Sequence, residues 1–89
     1  MYDVEVKKNV LKFIESLPNS NHIKENLKEL NKFKSDKKLH LDIKKLNGGT
    51  KNQEIFRLRI GEIRFIFEIL KEENLIIIKL ADYRGRVYN

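Results

Sequence analysis

Three runs rich in β-branched and aromatic residues, Glu54–Ile60, Ile63–Leu70 and Leu75–Leu80, follow one another closely in the second half of the chain. Only Gly61-Glu62 separates the first two. Alternating apolar positions bounded by turn residues mark β-strands. A two-residue loop with Gly first suits a type II′ hairpin, whose twist matches that of the strands it joins. That turn sets a register: Ile60 pairs with Ile63, Arg59 with Arg64, Leu58 with Phe65, Arg57 with Ile66 and Phe56 with Phe67. Successive side chains of a strand point to opposite faces. Phe56, Leu58, Ile60, Ile63, Phe65, Phe67 and Ile69 therefore share one face, and Arg57, Arg59 and Arg64 share the other. The apolar face needs a covering layer.

The upstream residues supply one. Tyr2, Val4 and Val6 alternate as in a short strand, and Val10, Phe13, Ile14 and Leu17 then recur at helical spacing until Pro18 ends the segment. Asn19 or Ser20 caps a second helix with the stripe Ile23, Leu27, Leu30 and Phe33, while Lys24, Glu25, Lys28 and Glu29 form its solvated side. Leu39, Leu41 and Ile43 alternate briefly before the loop Asn47-Gly48-Gly49-Thr50. The expected order is β-α-α-β-β-β. It describes an α+β fold, with two N-terminal helices packed on one face of a small, mainly antiparallel β-sheet. A length of 89 residues suits one domain spanning 1–89. No apolar run approaches a membrane span, the first five residues do not resemble a signal peptide, and the absence of cysteine suits a reducing compartment. The expectation is a cytoplasmic protein with no membrane partner.

Charge narrows the function. The net charge of +6 favours polyanions or an acidic protein as partner. All five arginines, Arg57, Arg59, Arg64, Arg84 and Arg86, lie beyond residue 56, whereas lysines occur along the whole chain. The planar fork of Arg matches phosphate oxygens two at a time, which the point charge of Lys does not. Arg59 and Arg64 are cross-strand neighbours of like charge, at a cost of about 0.2–1 kcal/mol. Glu68 lies diagonally from Arg57 and can pair with it, but no acidic residue of the hairpin faces Arg59 or Arg64. The pattern points to an anion-binding face built for a nucleic-acid backbone. Other chemistry has little support. Two distant histidines, His22 and His40, with no thiol make a poor metal site, and Gly48-Gly49 lacks the Lys-Ser or Lys-Thr of a phosphate-binding loop. No metal and no cofactor is expected.

The stretches 42-DIKKLNGG-49, 56-FRLRIGEIRFIFEI-69 and 83-YRGRVY-88 resemble the RelE toxin superfamily of type II toxin–antitoxin systems, in particular its archaeal branch. The resemblance covers nearly the whole chain. It implies a metal-independent endoribonuclease that cuts mRNA in the ribosomal decoding site, and an acidic, RelB-like antitoxin as partner. Arg59, Arg64, Arg84 and Tyr88 take the positions of the family's catalytic residues, and Arg57, Arg86, Lys51 and Tyr83 are the expected RNA contacts. The implied chemistry is attack of a ribose 2′-OH on the adjacent phosphate, with guanidiniums stabilising the added charge and an aromatic ring stacking on a base. The chain departs from the family in carrying Arg at both Arg57 and Arg59, where some members carry Lys and gain a general base. It also has Tyr83 where some relatives place His. Two other implied readings are a gyrase poison of the ParE type, which needs no phosphate-binding face, and an RNA- or ribosome-binding module without activity.

Overall fold

Gly61 adopts φ +58°, the left-handed first position that a type II′ turn requires. The strands on either side pair as expected, from Ile60 opposite Ile63 through Arg59 opposite Arg64 to Phe56 opposite Phe67. The computed structural model describes residues 1–34 and 40–83. Their elements are β1 (Asp3–Val6), α1 (Lys8–Glu15), α2 (Ser20–Lys28) with a 3-10 turn at Glu29–Lys32, β2 (Asp42–Leu46), β3 (Gln53–Ile60), β4 (Ile63–Leu70) and β5 (Leu75–Tyr83). Of the brief alternation ahead of the glycine loop, Ile43 lies in a full strand, β2, and Leu39 falls outside the described residues; the sheet has five strands in the order β1-β5-β4-β3-β2. Every pairing is antiparallel except β1 with β5. The α+β class and the mainly antiparallel sheet hold.

The helices cover one face only. Val10 and Ile14 of α1 and Ile23 and Leu27 of α2 are buried with Leu30 and Phe33 against Phe56, Leu58, Phe65, Phe67, Ile76 and Ile78. The rings of Phe56 and Phe67 stack at 5.3 Å across the hairpin, and Phe33 meets both edge-on at 5.1 and 6.0 Å. Offset and edge-to-face contacts of this kind add stabilisation beyond the area buried. Burial of Phe65 and Phe67 is complete, so the hairpin carries the centre of the core. No helix among the described residues is long and apolar enough to cross a membrane.

The β2–β3 connection is tight for a steric reason. Gly48 takes φ +106°, and a Cβ on Gly49 would run into the backbone oxygen of Gln53. Thr50 N donates to Gln53 O at 2.8 Å and closes the loop. This closure lays β2 beside β3, with Asp42 opposite Arg59 and Lys44 opposite Arg57.

β5 contains an irregularity that matters further on. Phe67 faces Ile78, but Ile66 faces Leu80, so Lys79 is an extra residue on the β5 side. A bulge of this kind flips every later side chain to the other face. Downstream of it Asp82 comes opposite Arg64 and Tyr83 opposite Ile63.

Candidate nucleic-acid interface

The face of the sheet away from the helices carries a row of charges across four strands: Asp42 on β2, Arg59 on β3, Arg64 on β4 and Asp82 on β5. The hairpin alone shows only the two arginines. No acid of the hairpin faces them, as its register requires, but the picture of an unopposed arginine pair is corrected, because β2 and the shifted part of β5 each bring an aspartate into the row. Each like-charged arginine thus has an acid on its outer side, which offsets the cross-strand repulsion.

Asp42 is the organising group. Its Oδ2 accepts from Arg59 Nε at 2.8 Å and lies 2.7 Å from Arg59 Nη2, while its Oδ1 accepts from Arg57 Nη2 at 3.1 Å. The hydrogen bond from Arg59 holds the Asp42 carboxyl below its ordinary pKa, against the opposing pull of desolvation and with help from the Arg57 charge. The partner expected for Arg57 was Glu68, and that too is corrected. Glu68 is buried and binds Lys79 Nζ at 2.8 Å instead. Strand alternation from the buried Ile78 already places Lys79 on the face of that carboxylate, and the two meet there. Burial works to raise the Glu68 pKa, but the bonds from Lys79 and Gln53 outweigh it and the net shift is downward.

Beside the aspartate clamp lies a shallow depression of about 280 Å³ lined by Lys44, Leu46, Arg57 and Arg64. Lys44 did not stand out in the sequence. Its signal was the alternation of 42-DIKKL-46, which places Asp42 and Lys44 on one face once the segment is taken as a strand.

The other residues singled out from the sequence do not all share that face. Arg57, Arg59 and Arg64 share the open face, as the hairpin register requires. Lys51 is exposed on the loop leading into β3, at the end of the hairpin away from the Gly61 turn. Tyr83 belongs to the opposite face, because the bulge shifts it into register with Ile63, and its ring meets Phe13 of α1 edge-on at 5.7 Å. Without the extra residue the strand alternation would have put Tyr83 on the arginine side. Arg84, Arg86 and Tyr88 lie outside the described residues. His22 pairs with Asn26 on α2 and His40 with Glu29, both away from the arginine row.

No protein-family model matches the chain. A curated protein of Methanocaldococcus jannaschii that carries the provisional name toxin RelE1 is 36% identical over 88 residues, spanning 98% of this chain and 94% of that protein. The chain belongs to the RelE toxin family. Solved structures agree with the assignment. The archaeal RelE–RelB complex from Pyrococcus horikoshii contains a chain that superposes with a TM-score of 0.78 at 27% identity, over 96% of this chain and 97% of that one. A chain in the RelB–RelE antitoxin–toxin complex from Methanococcus jannaschii gives 0.67 at 26% identity, over 94% of each. This RelE family member therefore keeps the family fold over nearly its whole length, with Arg57, Arg59 and Arg64 gathered on the sheet face that its helices leave open.

Proposed function

We propose that this chain is the toxin of a RelE–RelB-type pair and that it cleaves mRNA held on the ribosome, without a metal. The observation that carries this reading is the clustering of Arg57, Arg59 and Arg64, with Lys44, on one open face of a RelE-family sheet. Cleavage by an adjacent 2′-oxygen adds negative charge at phosphorus, and fixed guanidiniums stabilise that charge without having to reorganise. The Asp42 clamp helps by holding two of the forks in place before any substrate arrives.

The arginines of this face supply no general base, since Arg stays protonated across the accessible pH range, and the Asp42 carboxylate is a poor one because Arg57 and Arg59 engage its oxygens and lower its basicity. Alignment of the 2′-oxygen must then come from the way the message is held, which is what a ribosome provides. Arg84 and Tyr88 are proposed as further members of the site, with Arg86 and Lys51 along the RNA path. The partner proposed to silence the toxin is an acidic, RelB-like antitoxin, since both structural relatives were solved with RelB. A partner of opposite charge would also associate faster with a chain of net charge +6.

The test is incubation of the purified chain with translating ribosomes, followed by primer extension on the mRNA. Discrete cuts within the decoding site are expected, and naked RNA of the same sequence should stay intact. Efficient cleavage of naked RNA by nuclease-free protein refutes ribosome dependence, and no cleavage in either arm refutes the enzyme.

A further inference from the structure

Asn47 is the one asparagine of the chain that glycine follows. The pair sits at the bend between β2 and β3, where residues 47–53 are all exposed. Among the described residues neither the Asn47 side chain nor the Gly48 N–H has a hydrogen-bond partner, and the bonds that close the loop run between Thr50 and Gln53. Gly48 takes φ +106°, and the space where its Cβ would stand is open. A main-chain nitrogen so placed is free to approach the side chain that precedes it. A Cβ on the second residue would crowd that approach, and a hydrogen bond on its N–H would hold the nitrogen back. The other asparagines are less open to it. Asn26 lies inside α2, has Leu27 after it and bonds to His22, while Asn52 gives its amide to Glu72.

We propose that Asn47 is a site of spontaneous covalent modification, in which its side-chain amide is lost through a cyclic imide and the isoaspartate that results loosens β2 from β3. Asparagine is among the thermolabile residues, and glycine after it removes the main steric barrier. In the first step the Gly48 nitrogen gives its proton to solvent hydroxide and attacks Asn47 Cγ. A new C–N bond forms, the bond to the side-chain nitrogen breaks, and that nitrogen leaves as ammonia. In the second step water opens the imide ring. Opening at the Cγ carbonyl gives aspartate, and opening at the main-chain carbonyl gives isoaspartate, whose chain continues through Cγ. The net change consumes water, releases ammonia and needs no oxidant. Isoaspartate puts an extra methylene into the main chain, and this loop has no slack for it. A Cβ on Gly49 would already meet the Gln53 oxygen, and the β2–β3 ladder begins close by at Leu46 opposite Ile55. The strain therefore passes to β2, an edge strand with β3 as its only neighbour among the described strands. Nothing in this chemistry depends on the RNA-cleaving function proposed above.

The full-length protein is aged at mildly alkaline pH, folded and in guanidinium chloride, and conversion at Asn47 is followed by peptide mass and by methyl transfer from an isoaspartyl methyltransferase. A segment that opens at almost no cost reacts at nearly its unfolded rate, so conversion in the folded protein should stay within about threefold of that in denaturant. Folded-state conversion slower by about tenfold or more means that the fold shields the pair, and it overturns the site. Conversion that maps first to another asparagine overturns it too. Hydrogen exchange at the Thr50 and Gln53 amides reads the structural consequence, since these amides bond across the loop at 2.8 and 3.3 Å. Exchange should quicken severalfold in the isoaspartate form isolated by ion exchange. It should stay at the wild-type rate in fresh Asn47→Asp, which carries the new charge on a chain of normal length, and in Asn47→Gln aged in parallel. Equal quickening in Asn47→Asp assigns the effect to charge and overturns the strain. Equal quickening in aged Asn47→Gln places the damage elsewhere and overturns the link to this loop. Unchanged exchange in the isoaspartate form overturns the loosening of β2.

Discussion

Lys79→Met tests how much the Glu68–Lys79 ion pair beside the β5 bulge contributes to stability. Glu68 is 9% exposed at its side chain and its Oε2 lies 2.8 Å from Lys79 Nζ, whereas the Lys79 side chain remains 38% exposed. Methionine keeps most of the stem and removes the ammonium, so packing is little disturbed. What remains is a buried carboxylate without its counter-ion. Breaking a fully buried pair costs about 3–5 kcal/mol. Water reaches the Lys79 end here, so the lower scale for a charged hydrogen bond applies, about 1.5–3 kcal/mol at neutral pH. For a domain of this size a loss near 2 kcal/mol lowers Tm by roughly 8–16 °C.

The pH dependence gives the stronger check. In the wild type the folded-state pKa of Glu68 is depressed, so the pair contributes stability above the unfolded pKa and loses it as pH falls through the folded one. In Lys79→Met the largest downward contributor is gone and burial is opposed only by the Gln53 bond and the Lys7 charge, so the folded pKa should rise from its wild-type position. The advantage of the wild type at neutral pH then shrinks as Glu68 is protonated. Urea unfolding of both proteins at about pH 7 and about pH 4 should show a gap that narrows on acidification, the ordinary Glu range lying near 4.3. A gap below about 0.5 kcal/mol at pH 7, within the usual range for surface substitutions, would refute the reasoning. So would a gap of the same size at both pH values.

Arg59→Gln should leave stability within about 0.5 kcal/mol of wild type in chemical denaturation, since a half-exposed ion pair worth about 0.2–1 kcal/mol is lost while a similar cross-strand repulsion from Arg64 is relieved. Gly61→Ala should cost about 1–2 kcal/mol by the same measurement, because φ +58° strains any residue with a Cβ. Phe65→Ala, at a position with no exposure, should cost about 3–5 kcal/mol and leave the protein partly unfolded at growth temperature by circular dichroism. Asp42, Glu54 and Glu68 all have depressed folded-state pKa values, so Tm measured by calorimetry should be flat near neutrality and fall below about pH 4 as these carboxylates protonate. A Tm that rises on acidification would contradict those ion pairs.

The β3–β4 hairpin was legible from the residues alone, down to the pairing of Arg59 with Arg64. A two-residue turn beginning with Gly leaves one register, and the strand period then assigns every side chain to a face. The helical stripes were legible for the same reason, since Ile14, Ile23, Leu27 and Leu30 recur with the period of the helix and are all buried. Local periodicity thus carried the fold class and brought three arginines to one face. It could not carry the acids that meet them. Asp42 sits fifteen and seventeen residues from the arginines it binds, and only the closure of the Gly48-Gly49 loop lays β2 alongside β3. The second limit is the bulge at Lys79. One extra residue in β5 keeps the composition of the strand and reverses the facing of everything after it, taking Tyr83 from the arginine side to Phe13 and bringing Asp82 opposite Arg64. Alternation read along one strand cannot register such a slip, because a bulge is defined only against the partner strand, and that pairing exists only in the folded sheet.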